Sequence, residues 1–481
     1  MKNQSPKQLM NKKSINRREF ISRSSLLAGG MMAAPSFGSS AGIFQNKKLK
    51  LAMVGTGIRG TGFWGRTVVR NYSDIVEFVG LCDINPGRLK FALDFMGVNC
   101  PVFTNFEEMI NKVKPDLVIV TTVDATHHQF IIKALDMGVN VLTEKPLTTD
   151  EVKAQAIIDA ERRSGKKVIV GFNYRWGTQF TAIKKLLAEQ RVGKITSVDF
   201  HWYLNTYHGA SYFRRWHGER DKSGTLLCHK ATHHFDLLNW FIDSDPVEVT
   251  ALGKLEHYGK NHSFRGDKCR TCPHKSECKF FFDITKDKLL MDLYVKNEQY
   301  DGYIRDNCLW REEIDIYDKM AVQIKYANDV QVSYSLTTYS PYEGWRIAFN
   351  GFDGRIDSWE GIPWRAEERI NQAELHAQEM KQDVQQEDSS YDEIMVTQNW
   401  GTYELVKVPR SRSGHGGGDA RLHDKIFRNP DMADPYKHAA GTRDGVMSVL
   451  IGIAARKSIE TGEPVKIESL TDLKPSVERM S

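Results

Sequence analysis

Residues 227 to 240 read LCHKATHHFDLLNW and place His229, Lys230, His233 and His234 within six positions, at the mouth of an apolar helical run. Three chemistries fit such a cluster. Imidazoles titrate near neutrality and serve as general acids and bases. His229 and His233 are four apart, so on one helix they share a face, a spacing that also suits a metal ion. A third ligand is then needed, and the stretch GHGGGD at 414–419 offers His415 and Asp419. No tight signature such as H-E-x-x-H is present, and acid/base work is the favoured expectation. The third reading, satisfied structural polar groups, suits His234 beside Phe235. A second lysine of interest is Lys145 in Glu144-Lys145-Pro146. An ammonium in a partly desolvated pocket has its pKa lowered. It can then hydrogen-bond a substrate oxygen and exchange a proton with it, an effect of about 10²–10⁴-fold. The bland alternative is a surface ion pair with Glu144, which Pro146 makes less attractive by fixing the chain direction.

The elements that must position these groups begin with LKLAMVGTGIRGTGFWGRTVVRNY. A short apolar strand over 49–54 runs into Gly55, Gly57 and Gly60 in G-x-G-x-x-G order, and a helix follows. The strand-to-helix setting makes this a dinucleotide-binding signal. Gly55 permits the tight turn, Gly57 a close approach to a pyrophosphate and Gly60 close helix–strand packing. Free N–H groups at the helix start, around Ile58 and Arg59, then face the phosphates. The second strand, EFVGLCD, ends at Asp83, 28 residues after Gly55. A carboxylate there accepts ribose hydroxyls and repels a 2′-phosphate, which favours NAD over NADP; a cap for the following turn is the compatible bland role. Further strands at 116–123, 140–144 and 167–172, separated by helical patterns, predict a doubly wound parallel sheet. His127 and His128 follow a strand end, where ligands bind in such sheets, and also suit a helix cap.

EKP after the fifth strand, GFNYRW at 171–176 and GIAARKSIETGEPVKI at 452–467 together resemble the Gfo/Idh/MocA family of sugar and polyol oxidoreductases from about residue 48 onward. The resemblance implies an N-terminal Rossmann domain, 48–172, and a C-terminal α/β domain, 173–481, with a large open, mostly antiparallel sheet. Partial alternation in ITSVDFHWYL, PVEVTALGKL, MAVQIKYA, VQVSYSLTTY and WRIAFNGF agrees with it. It implies that Lys145, next to the cofactor-binding Glu144, lies beside the nicotinamide and the reacting carbinol. It also implies that His233 is the general base, in a D-x-x-x-H pattern whose Asp position is held here by His229. That departure puts a plain polyol dehydrogenation in doubt. HGGGD is similar to a segment of NAD-dependent glycosidases on the same fold, which oxidise a sugar carbon transiently and return the hydride. A carbohydrate substrate is implied either way, with Lys230, Tyr174, Arg175, Trp176, His415 and Asp419 as candidate contacts. A homo-oligomer is implied as well.

The chain has 481 residues, 41% hydrophobic and 10% aromatic, enough for two or three domains. No run approaches the about 20 apolar residues of a membrane span. Net charge is +5, but the first 41 residues hold seven Lys/Arg against one Glu, a net of +6, leaving about −1 for the rest. A nucleic-acid partner is therefore not expected. Arg17 and Arg18, ahead of a weakly apolar stretch and small residues, make 1–41 resemble a twin-arginine export signal, which implies the periplasm. Of seven cysteines, Cys269, Cys272, Cys278 and Cys308 cluster in sequence. Structural zinc and disulfides both stay open for them. Residues 364–400, Gln- and Glu-rich, read as a surface insertion with a helical piece.

Overall fold

A computed structural model describes residues 47–361, 387–411 and 414–479. The proposed export signal, 1–41, lies outside the described residues. Six strands make the first sheet: β1 (Leu49–Val54), β2 (Val76–Cys82), β3 (Val102–Phe103), β4 (Leu117–Val120), β5 (Asn140–Thr143) and β6 (Val168–Val170). All are parallel, in the order β3-β2-β1-β4-β5-β6. Helices cover both faces, which is why Leu117–Val120 and the last four residues of β1 are buried without a break. The order reverses between β1 and β4, so the crevice beyond their C-terminal ends is the expected ligand site. The two-residue β3 has no pattern long enough to be read from sequence.

Nine strands make the second sheet: β7 (Ile195–Asn205), β8 (Pro246–Lys254), β9 (Lys319–Tyr326), β10 (Gln331–Ser340), β11 (Gly344–Gly351), β12 (Gly354–Glu360), β13 (Glu387–Gln398), β14 (Tyr403–Ser411) and β15 (Val465–Lys466). Their order is β14-β13-β12-β11-β7-β10-β9-β8-β15. Pairing is antiparallel except between β7 and β10, which run parallel. β9 alternates exposed and buried at every residue, so one face is solvated and the other packs on helices. The expected insertion over 364–400 is corrected at its C-terminal end: Glu387–Gln398 is a full strand of the sheet, with Ile394 and Val396 in the core. Its polar composition hid a strand that needs apolar residues on one face only. The rest of that segment lies outside the described residues.

The helix Thr442–Thr461 packs against the segment that carries the histidines. A Cβ on Gly452 would stand 2.4 Å from the Leu227 carbonyl oxygen, so glycine is what allows this approach. Arg175 locks the linker between the sheets. It donates to both Asp236 oxygens at 2.8 and 2.6 Å and to Asp444 at 2.8 Å, in full burial.

Candidate active site

Asp124 follows β4 and Lys145 follows β5, at adjacent strand ends. Opposite them, the chain from 226 to 242 forms two short helices, Leu226–His229 and Ala231–Ile242, that meet at Lys230. His229 and His233 both stand near Lys145 and Lys230, but their direct partners differ. His229 Nδ1 lies 2.5 Å from Asp124 Oδ2. Its Nε2 lies 3.5 Å from Lys145 Nζ, which also donates to the His229 carbonyl at 3.2 Å. With Asp124 accepting Nδ1–H, Nε2 keeps its lone pair and points at the lysine. Where the family pattern places an Asp, at 229, stands a histidine that a carboxylate of the first domain holds. The departure at 229 stands, and Asp124 is a site residue that the sequence did not single out. Its signal was present: an acid immediately past a parallel strand near the switch point.

Burial lowers Lys145 to about 8, with Asp124 and Glu144 opposing and Lys230 and Arg59 assisting. Burial raises Asp124 well above the usual carboxyl range, and the Lys145 charge pulls it back. His229 is held well below 6.5 by burial and by the charges of Lys145, Arg215 and Lys230, so it is neutral at pH 7. His127 supports the lysine loop from beneath. Its two ring nitrogens lie 2.8 Å from the Pro146 carbonyl and 3.1 Å from the Thr122 carbonyl.

His233, expected as the base, stacks on Tyr174 at 4.1 Å between centroids, and its buried Nδ1 has no hydrogen-bond partner among the described residues. Lys230 donates to the Tyr174 hydroxyl at 2.9 Å. His234 stacks on Trp202 and bonds Tyr334, with no exposure, which is a structural role. Tyr174 therefore sits at the site. Arg175 and Trp176 do not: Arg175 is spent on Asp236 and Asp444, and Trp176 stacks on His438 in the interior. The HGGGD turn folds back on this region. His415 Nδ1 lies 3.0 Å from Asp419 and 2.9 Å from Asn173 Nδ2, with its ring 5.3 Å from Tyr174. A Cβ on Gly418 would meet the Asn173 carbonyl at 2.4 Å, so this glycine serves close packing. Residues outside the sequence reading complete the surroundings: Tyr212 and His217 flank His229, and Glu343 lies 3.1 Å from His208.

The glycine turn is built as its sequence requires. Gly55 has φ +92, and a Cβ there would lie 2.6 Å from Thr121 backbone. A Cβ on Gly60 would lie 2.4 Å from the Gly55 carbonyl oxygen. Arg59 pairs with Glu144 at 2.5 Å, and Trp64 Nε1 donates to the same carboxylate at 2.8 Å. Two expectations change here. The Ile58 N–H donates to the Tyr294 hydroxyl at 2.9 Å, so a phosphate oxygen would take the place of that hydroxyl. Asp83 is not turned outward. Its oxygens accept from Thr56 N–H at 2.7 Å, Thr56 Oγ1 at 3.0 Å, Asn85 N–H at 2.9 Å and Arg88 at 3.1 Å, which fills a carboxylate's acceptor sites. Its carboxylate braces the glycine turn. The glycine cradle and the switch-point crevice fit a dinucleotide.

The metal expectations are corrected as well. Among the described residues no group of three or more His, Cys, Asp or Glu is placed to hold a metal ion. Cys269, Cys272, Cys278 and Cys308 line one cavity, yet no disulfide joins them. Cys308 Sγ instead accepts backbone N–H groups of Gly266 and Trp310, at 3.5 and 3.4 Å. His229 is held by Asp124 and His233 lies on Tyr174, and neither belongs to such a group.

A doubly wound NAD-type sheet facing an Asp–His–Lys cluster defines a nucleotide-dependent oxidoreductase. Comparison with known proteins agrees. Residues 49–172 match the oxidoreductase family's NAD-binding Rossmann fold, and residues 184–467 its C-terminal alpha/beta domain. The chain belongs to the Gfo/Idh/MocA oxidoreductase family. It is 32% identical over 442 residues to the putative oxidoreductase YteT of Bacillus subtilis, covering 87% of this chain and 98% of that one. It is 26% identical over 197 residues to an inositol 2-dehydrogenase/D-chiro-inositol 3-dehydrogenase of Lactiplantibacillus plantarum, a match spanning 40% of this chain and 53% of the relative. In fold it is similar to an Agrobacterium radiobacter oxidoreductase solved with NAD+, L-tartaric acid and magnesium, with TM-score 0.58, 16% identity and coverage of 88% and 100%.

Proposed function

We propose that this oxidoreductase removes hydride from a carbinol carbon of a sugar or sugar derivative, with NAD as the acceptor. The observation that carries the reading is the Asp124–His229–Lys145 chain at the ends of β4 and β5, beside the glycine turn. The turn of Gly55, Gly57 and Gly60, the Ile58 N–H and Arg59 would hold the dinucleotide, which supplies a hydride acceptor when bound. As hydride leaves the carbon, the hydroxyl proton must leave the oxygen. A Lys145 near pKa 8 is matched to that transfer. Neutral His229 receives the proton in turn through Nε2, and Asp124 stabilises the imidazolium that forms. Preference for NAD over NADP is supported by Arg88, which is committed to Asp83 and Asp301 and so offers no guanidinium to a 2′-phosphate.

The test is spectroscopic. The purified protein is incubated with NAD and a panel of sugars and polyols, and absorbance at 340 nm and keto-sugar formation are followed. Net NADH with a keto product is expected. Aglycone release from aryl glycosides without net NADH would instead assign glycosidic cleavage through transient oxidation. Export through the Arg17-Arg18 segment is checked by N-terminal sequencing of protein recovered from periplasm. Self-association is supported by apolar residues exposed on the edge strand β14, Tyr403 and Leu405, and on turns between nearby strands, Phe352 and Trp400. Light scattering of the purified protein tests it.

A further inference from the structure

Buried cations in this chain are mostly paired. Arg88 meets Asp83 and Asp301, Arg175 meets Asp236 and Asp444, Arg270 meets Glu298 and Asp306, and Arg479 meets Asp245 and Asp444. That is what the cost of burying a lone charge requires. Among the described residues Lys184 and Arg214 are exceptions, spent on the Trp240 and Phe280 carbonyls. Around His229 the pattern fails. Lys230, 4% exposed, lies 5.3 and 4.9 Å from the ring centres of Tyr174 and Trp202 and donates to the Tyr174 hydroxyl. Arg215 lies over Tyr212 and donates Nε–H to the Ser211 carbonyl. Arg305, 8% exposed, lies over Tyr294. Among the described residues none of the three forms an ion pair with a carboxylate. Together with Lys145 they stand near Asp124 and Glu343, while Glu144 beside Lys145 is paired with Arg59 and Asp287 acts on Arg305 from further off. Asp124 is held by His229. Glu343 accepts from Asn205 N–H at 2.8 Å and is raised to about 7 by burial, against the pull of Lys230. The surrounding histidines, His208, His217, His229 and His233, are all held neutral by burial. A pocket left with excess positive charge stabilises a ligand that brings the missing anion, and a guanidinium fork matches a carboxylate in particular.

We infer that the substrate is an acidic sugar, a uronic or aldonic acid, whose carboxylate is taken by Lys230 and Arg215, with Arg305 behind them, while its carbinol meets Lys145 and His229. This rests on the oxidoreductase reading above and deepens it.

The experiment compares kcat/KM of the wild-type enzyme for uronates and aldonates with that for the parent neutral hexoses and for hexose phosphates. A preference for the acids of at least about 10²-fold is expected, the worth of one or two charge-assisted contacts. Lys230→Met and Arg215→Met are each expected to lower that preference about tenfold or more, mainly through KM, while the Kd of NAD from fluorescence titration stays within about twofold. Three results would overturn the inference: neutral hexoses turned over as well as the acids, hexose phosphates preferred with uronates inert, or variants that weaken NAD binding and leave the acid preference intact. The last would assign the cations to the cofactor's phosphates. If nothing is oxidised, binding of uronate to the NAD-loaded protein is measured by calorimetry. Binding without turnover sustains the carboxylate-binding pocket and sinks the dehydrogenase reading; no binding sinks the carboxylate-binding pocket.

Discussion

Replacing Asp124 with Asn removes the carboxylate from His229 Nδ1 and leaves the shape of the site. The bond is charge-assisted, 2.5 Å long and buried, and such bonds contribute about 1.5–3 kcal/mol. If that stabilisation is gained as the imidazolium forms, kcat falls about 10- to 150-fold, since each 1.36 kcal/mol is tenfold. The pH profile moves as well. Asp124 is the largest influence holding the Lys145 pKa up against burial. In the wild type, oxidation needs the unprotonated base, so kcat rises with pH and levels off above about 8. Carbonyl reduction needs the proton and falls over the same range. Without the Asp124 charge, Lys145 releases its proton more readily, so both limbs move to lower pH. The assay is stopped-flow NADH formation from pH 6 to 10, with melting temperature and the Kd of NAD measured beside it. An Asp124→Asn enzyme that folds, binds NAD and keeps both kcat within twofold and its limb near 8 would refute the proton chain. A lower kcat with an unmoved limb would leave Asp124 a merely structural partner of His229.

Other perturbations separate the roles of the parts. Gly60→Ala places a Cβ 2.4 Å from the Gly55 carbonyl oxygen, so the turn must open; NAD affinity is expected to fall at least tenfold by titration, with the C-terminal sheet unaffected by circular dichroism. Arg175→Leu strips Asp236 and Asp444 of their partner and is expected to cost about 3–5 kcal/mol in denaturant unfolding. An Arg175 that contacted substrate would instead show its main loss in KM at full stability. Protein unfolded without reductant is expected to give seven titratable thiols. Three would mean that the four clustered cysteines pair.

Much of the first domain was legible in the chain because its determinants are local. A glycine spacing at a strand–helix turn and apolar runs buried on both faces are written in consecutive residues. Lys145 was legible for the same reason, as part of a short tripeptide at a strand end. The edge strands of the large sheet were not, since Glu387–Gln398 is polar on one face and lost its period in a Gln-rich context. The histidine cluster drew attention by composition, but the division of labour within it belongs to the tertiary structure. Packing brings His229 to Asp124 and lays His233 on Tyr174. Residues 124 and 229 lie 105 positions apart, and no local pattern links them. Sequence determines which groups are available and which elements carry them. Which carboxylate meets which imidazole, and which cations are left without one, is decided only when two sheets and the helix between them pack.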